Sequence, residues 1–422
     1  MDFKSLNPSL RFKGYNADWV TFIFSELYEF KTTNSYSRDL LNYSTGKVKN
    51  IHYGDIHTKY NSVFNIEIET VPFINVDVDL KKIKDEQYLS EGDLVIADAS
   101  EDYKDIGKTI EVVNLAKQRV LAGLHTFLAR KKSNMLFKGF AAQLMQSWTV
   151  RHQVMRIAQG TKVLGIATSR LGNVELPLPS VEEQQRIADF LSSVDKKISL
   201  LKEKHTLLTQ YKKGAMQKLF KQETRFKDDN GEDFPDWKTE RVDYFVERYS
   251  NPVKVDKNDT YREIGVRSHG KGVFHKEVVS GAKLGDKRVF WVHPDAFVVN
   301  IVFAWEHAVA KTSDKEEGFI ASHRFPMYLP KNNRVDLRFF TLFFKSKRGK
   351  HLLELASPGG AGRNKTLGQS NFAELKVTFP ILEEQKRIAD FVELLEKKLE
   401  AIKQQIELTQ TFKKGLLQQM FV

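Results

Sequence analysis

The sequence predicts an α/β chain that uses one plan twice: a small mixed domain followed by a long amphipathic helix, then both again. Three observations carry this. Residues 179–220, PSVEEQQRIADFLSSVDKKISLLKEKHTLLTQYKKGAMQKLF, recur 201 positions later as residues 380–421, PILEEQKRIADFVELLEKKLEAIKQQIELTQTFKKGLLQQMF, with 18 of 42 positions identical and no gap. Apolar residues in both copies recur at alternating spacings of three and four, the period of a helix with one narrow buried face. A second signature, Arg11-Phe12-Lys13 followed by Asp18-Trp19, returns as Arg225-Phe226-Lys227 followed by Asp236-Trp237 and opens each half. The divisions that follow are domains at 1–178 and 223–378 and helices at 179–222 and 379–422.

In the first domain Phe64, Ile66 and Ile68, then Val76, Val78 and Leu80, alternate with polar residues and predict strands. Gly92-Asp93 is a turn into Leu94-Val95-Ile96-Ala97, an apolar run that predicts a buried strand. Residues 139–159 predict a helix, after which Gly160 opens a loop towards Leu176. The second domain ends in the same order, with a helix over 335–356, a loop at Gly359, Gly360 and Gly362, and a short run over 375–379. Order is kept while the residues change, so the two blocks read as one small α/β domain used twice.

Both long helices carry a pairing stripe: Ile187, Phe190, Val194, Ile198, Leu201 and Leu208 in the first, Ile388, Phe391, Leu395, Leu399, Ile402 and Ile406 in the second. Ser180 and Glu183 predict a capping box at the first start, whereas Ile381 stands at the equivalent cap of the second. Roughly 40 residues at about 1.5 Å each span on the order of 60 Å, too long for such a stripe to be hidden by its own domain. Lysines and glutamates flank the stripe, which favours pairing of the two copies as a coiled coil over a helix pair inside one core.

The 422 residues include no cysteine, which excludes a disulfide scaffold and thiolate metal sites and fits a reducing cytoplasm. The start, MDFKSLNPSLRFKG, has no apolar run, and the most apolar later stretch, 296–305, is about ten residues long, too short for a bilayer. No membrane partner is expected. The net charge of +12 is spread along the chain without a polybasic tail, which suits a polyanion met over extended surfaces.

Catalytic signatures fail one by one. Residues 265–272, GVRSHGKG, end in glycine where a phosphate-binding loop needs a hydroxyl, and Gly107-Lys108-Thr109 lacks the glycine five residues before Gly107. The glycines at 359–362 follow a helix rather than a strand, the wrong context for a dinucleotide fold. No aminomethyltransferase or nuclease element is present, and the eleven histidines lack metal-ligand spacing, so no metal site is predicted.

Two variable domains, two constant helices and the Pro-x-x-Glu-Glu-Gln-x-Arg-Ile-Ala-Asp-Phe motif heading each helix resemble the specificity subunit of type I restriction-modification systems. Local stretches resemble known recognition-domain varieties: 92–108, GDLVIADASEDYKDIGK, in the first domain, and 261–274, YREIGVRSHGKGVF, with the segments around Asn300, Trp305, Arg324 and 361–365, in the second. One departure is His307, where relatives often carry glycine, which bears on the shape of the adjacent loop. The resemblance implies two pseudo-symmetric target-recognition domains separated by two long antiparallel helices that form a coiled coil. Each domain would read half of a bipartite asymmetric site in double-stranded DNA, with the helices setting the spacer. It further implies a non-catalytic chain that binds no cofactor and scaffolds two modification subunits, which supply S-adenosylmethionine and adenine-N6 methylation. Restriction subunits would add ATP- and Mg-dependent translocation and cleavage.

Candidate DNA contacts in the second domain are Arg267, His269 and Lys271, where the glycines at 270 and 272 let a basic loop approach DNA closely, and Arg363, Asn364 and Lys365 after the glycine cluster. Asn300 and Trp305 sit in an apolar stretch, where a core polar group and a core aromatic read equally well. Arg324, beside Ser322 and His323, stands evenly between the two roles. In the first domain the candidates are Ser35, Tyr36, Arg38 and Lys47, with Lys49.

Overall fold

Each half of the chain begins by pairing its opening segment with the strand that feeds its own long helix. In the computed structural model, which describes residues 7–359 and 365–422, Val20–Ile23 runs antiparallel to Glu175–Leu178, and Lys238–Arg241 runs antiparallel to Lys376–Phe379. The chain divides into two compact units: Met1–Glu203 with Lys403–Val422, and Lys204–Ile402.

The two units share a frame. In the first, the one-turn helix Phe24–Leu27 leads into a sheet ordered Tyr28–Lys31, Thr126–Lys131, Leu94–Ala97, Thr109–Asn114 and Val63–Asn65. In the second, Val242–Phe245 leads into Val246–Tyr249, Met327–Pro330, Phe297–Val299 and Val309–Lys311, the same order without the fifth strand. A further four-stranded sheet completes each unit. Leu94–Ala97 is buried at every position, as its apolar run predicts for a strand with neighbours on both edges.

Two predicted features differ. Of the two predicted strands only Phe64 lies in one; Ile66, Ile68, Val76, Val78 and Leu80 lie outside strands, with Ile68 and Val76 70% and 80% exposed, because asparagines turn the chain. The Asn65 side chain accepts from Glu67 N at 3.0 Å, and its carbonyl accepts from Ile68 and Glu69 N. The helices predicted over 139–159 and 335–356 are each two helices, Phe140–Leu144 with Trp148–Ile157 and Leu337–Phe344 with Lys347–Leu355. The break falls at Ser147 and Ser346, whose hydroxyls accept from Val150 N and Gly349 N and start the second helix afresh.

The long helices, Val181–Phe220 and Leu382–Gln419, each begin in one unit and end in the other. Within the first unit Ile187, Val194 and Ile198 share a core with Leu416, Met420 and Phe421. Asp195 pairs with Lys413 at 2.8 Å, while Gln419 accepts from Leu10 N beside the start of the first helix, so these segments run antiparallel. Within the second unit Lys212 pairs with Glu396 at 2.5 Å, and Phe220 reaches Phe339 at 5.8 Å, next to Trp237. These two ion pairs occupy equivalent positions in the repeat, 201 residues apart. Of the stripe residues, Ile187, Val194, Ile198, Ile388, Leu395 and Ile402 are buried, and Phe190, Leu201, Leu208, Phe391, Leu399 and Ile406 are half-buried.

The repeated motifs meet at the start of each long helix. Arg11 donates through Nε and Nη2 to both oxygens of Glu183, each at 2.8 Å, and Arg225 grips Glu384 at 3.1 and 2.7 Å. Both carboxylates are buried, at 1% and 0% exposure. Gln184 accepts from Phe137 N and donates to the carbonyls of Met135 and Pro179, and Gln385 does the same with Asp336 N, Arg334 and Pro380. Phe12 packs edge-on against Phe190, and Phe226 against Phe391. The expected capping box is therefore half made. Ser180 Oγ accepts from Glu183 N at 3.4 Å, but the carboxylate turns to Arg11, a charged bidentate donor that outcompetes a backbone N–H.

Replacing Arg225 by Met leaves Glu384 buried without its charge partner and is expected to cost about 3–5 kcal/mol in denaturant titrations, with part of the loss recovered by adding Glu384→Met. A second test concerns Glu111, whose carboxylate accepts from Gly139 N and Ala142 N at the start of Phe140–Leu144 and which burial pushes up to about 7 from an ordinary value near 4.5. A raised acid favours the fold only while protonated, so its contribution is full below pH 4.5 and lost as pH rises through about 7. Relative to wild type, Glu111→Gln should gain stability on the order of 3 kcal/mol between pH 5 and 8, read from paired denaturation curves.

Candidate nucleic-acid interface

In the second unit, the hairpin of Thr260–Val266 and Val273–Ser280 closes through residues 267–272. Arg267 N donates to Gly272 O, and the loop turns through positive φ at His269, Gly270 and Gly272. It is bolted to a second turn: His269 N donates to Glu306 O at 2.7 Å, Gly270 N to His307 O at 2.9 Å, and Ser268 Oγ to the Glu306 carboxylate at 3.0 Å. That second turn holds two more segments, because Ile301 N donates to Arg324 O and Ile301 O accepts from Leu367 N. A chain of backbone hydrogen bonds thus gathers four stretches, distant in sequence, at one edge of the unit.

The candidates divide by what holds them. Arg267, His269, Lys271 and Arg324 are exposed on this edge, and the Arg267 guanidinium lies over the Phe274 ring, 5.0 Å from its centre. Lys365 is half-buried, two residues from Leu367; Arg363 and Asn364 lie outside the described residues. Asn300 is buried, with Oδ1 accepting from Val302 N, and Trp305 Nε1 donates to Val302 O, so both side chains build the turn. Planar and ammonium donors on a braced backbone edge can meet guanine acceptors or phosphate oxygens.

His307 resolves the departure noted in the sequence. Its φ of 60° and ψ of 36° are left-handed, so the loop keeps the conformation that glycine favours despite the side chain. Burial lowers the pKa of its imidazole.

In the first unit Ser35 and Lys47 are exposed. Tyr36 packs against Val48, Ile74 and Leu121, and Arg38 spends both terminal nitrogens on Asp55 at 2.8 Å. Burial opposes ionisation of Asp55, but Arg38 and Lys59 outweigh it and hold its pKa below the ordinary value. Lys49 lies over the Phe73 ring. Sequence reasoning passed over an exposed aromatic–basic pair, Tyr103 and Lys104, on the loop at 101–107, whose backbone is tied down by Arg151 donating to Lys104 O. It also passed over Tyr53, which is ringed by His52, His57 and His125 at 4.7–5.9 Å between ring centres. The first pair lies inside the stretch 92–108 already singled out; the second cluster joins residues too far apart to be seen together.

Among the described residues no group of three His, Asp or Glu side chains is placed to hold a metal, and no helix is long and apolar enough to cross a membrane. The family described as the type I restriction modification DNA specificity domain matches residues 16–210 and 296–410. The chain belongs to this family. The first matched segment runs from the opening of the chain into the first long helix, and the second runs from Phe297–Val299 into the second long helix, so both include the start of a long helix. Among relatives in the family, the type I restriction enzyme MjaVIII specificity subunit of Methanocaldococcus jannaschii is 22% identical over 344 residues, spanning 74% of this chain and 75% of its own. The crystal structure of a type I restriction-modification S subunit from M. genitalium shares the fold, with a TM-score of 0.55 at 14% identity over 99% of each chain. A chain from a structural study of complex assembly and conformational transition in a type I R-M system matches at a TM-score of 0.54 and 11% identity, over 96% of this chain and 97% of its own.

The left-handed backbone at residue 307 yields a direct test. His307→Gly is expected to be neutral or stabilising by up to about 1 kcal/mol, whereas His307→Val, a branched side chain forced into left-handed backbone, should destabilise by more than 1 kcal/mol in thermal or chemical denaturation.

Proposed function

We propose that this chain is the DNA-reading scaffold of a type I restriction-modification complex, with each unit reading one half of a bipartite asymmetric site and the long helices setting the unread spacer. The observation that carries the reading is the contrast inside each unit: an anchored frame, repeated residue for residue at Arg11–Glu183 and Arg225–Glu384, holds edges whose residues differ. Sequence is read by side chains in the grooves, while phosphate contacts position the protein, so exchangeable edges on a fixed frame suit a reader of two unlike half-sites. Two tethered readers need a stiff ruler, since their half-sites lie at a fixed rise and rotation along the duplex, and each raises the other's effective concentration once bound.

In this reading the chain is non-catalytic, works in the cytoplasm and binds no cofactor. Two modification subunits dock on it and bring S-adenosylmethionine for adenine-N6 methylation, and restriction subunits bring ATP- and Mg-dependent cleavage. The failure of every catalytic signature in the sequence supports this division of labour.

Arg267→Ala or Lys271→Ala should relax recognition at the second half-site while leaving the first intact, scored by methylation of half-site variants; unchanged specificity in both would remove the 267–272 loop from the reading edge. Adding one helical turn to both long helices should lengthen the spacer of the methylated site. An unchanged spacer would contradict the ruler.

A further inference from the structure

A groove of about 720 Å³ in the second unit lies between the end of the first long helix and the corner where Leu337–Phe344 meets Lys347–Leu355. Six cations line it, Lys212, Lys213, Lys221, Lys345, Lys347 and Arg348, and no carboxylate does. Its apolar part comes from Met216, Phe220 and Leu399. Two of the cations have acidic company outside the lining: Lys212 pairs with Glu396 and Lys221 with Glu223. Lys345 makes no ion pair among the described residues, and burial lowers its pKa, opposed by the charge of Glu396 and helped by that of Lys212. The helix Lys347–Leu355 begins here behind its Ser346 cap and adds the positive end of its dipole.

Two observations say what the groove is for. First, it adjoins the reading edge: a Cβ placed on Gly270, in the loop of Arg267 and Lys271, would lie 3.3 Å from the Lys345 stem. Second, four of the six cations have no basic counterpart in the first unit. The first unit has the same serine-capped break, but Gln146, Trp148 and Thr149 stand where the second has Lys345, Lys347 and Arg348. Lys413 and Lys414 repeat Lys212 and Lys213, and Lys413 pairs with Asp195 as Lys212 does with Glu396, so the cations that set the second unit apart are Lys345, Lys347, Arg348 and Lys221, whose counterpart is Val422. A partner docking in the same way on both repeats would need both corners alike. A groove with these four cations in one unit only, beside one reading edge, fits a ligand met there once.

We infer that this groove seats the sugar–phosphate backbone of the duplex flanking the second half-site, with Lys345, Lys347, Arg348, Lys213 and Lys221 as phosphate contacts that position the DNA and read no base. The inference rests on the DNA-reading function proposed above. Backbone contacts release counterions, so each one removed lowers the slope of log binding constant against log salt by about 0.9.

The test uses the full chain assembled with its modification subunits, and fluorescence anisotropy of duplexes with and without the methylated site, titrated with KCl. The triple variant Lys345→Gln/Lys347→Gln/Arg348→Gln should lower the slope by roughly 2–3 and weaken both duplexes by the same factor, roughly ten- to a hundred-fold, with the methylated sequence unchanged. Lys213→Gln/Lys221→Gln, at exposed positions on and just past the end of the first long helix, where folding is not at stake, should lower the slope by roughly 1–2. Unchanged slopes in both variants, with wild-type complex still binding its site, overturn the groove assignment and leave the DNA-reading function standing. Altered sequence preference at an unchanged slope also overturns it, as does loss of subunit assembly with DNA binding unaffected, which would make the groove a protein-docking site. Absence of any site-specific binding by the wild-type complex overturns the function itself.

Discussion

The structure depends on a buried guanidinium–carboxylate pair that the chain makes twice, Arg11 with Glu183 and Arg225 with Glu384. A carboxylate taken out of water is tolerable only when its partner is held in place, so each pair fixes an opening segment against the start of a helix 159–172 residues later. The neighbouring glutamine extends the grip by accepting one backbone N–H and donating to two carbonyls. Everything between the two ends of this clasp is free to vary as long as it begins and ends in the paired strands Val20–Ile23 with Glu175–Leu178, or Lys238–Arg241 with Lys376–Phe379.

That freedom is visible where the two units diverge. One adds a fifth strand and spends Arg38 on Asp55; the other turns a glycine-rich hairpin outward and braces it on the turn around His307. The same serine-capped corner is neutral in one and cationic in the other. A constant clasp with variable edges lets one scaffold serve unlike half-sites, because changes at an edge do not pass through the interaction that positions it.

The repeat, its 201-residue offset and the stripe on each long helix were legible because they are local patterns that recur. The clasp was not. Its members appeared as two separate repeated signatures, and nothing in a sequence pairs Arg11 with Glu183 when a serine three residues before Glu183 offers a nearer explanation. The two turns at Asn65 and Asn75 overrode an alternation that reads as strand: at Asn65 the side chain accepts from the backbone in competition with pairing, and at Asn75 the carbonyl accepts from Val78 N. At the interface, glycines at 270 and 272 pointed to a basic loop, but its connection to Arg324 and Leu367 runs through backbone groups that carry no residue signature. Tyr36 and Arg38 read like surface contacts because their partners, the Val48 cluster and Asp55, lie in other elements.

The most direct measurement is to replace residues 242–375 with the corresponding block of another family member, keeping Arg225, Trp237, Glu384 and Gln385, and to map methylated adenines in cells carrying the chimaera with its modification subunits. The account predicts a methylated site whose first half and spacer are unchanged and whose second half is new. A change in the first half or in the spacer would contradict it, because the clasp would then not isolate one reader from the other.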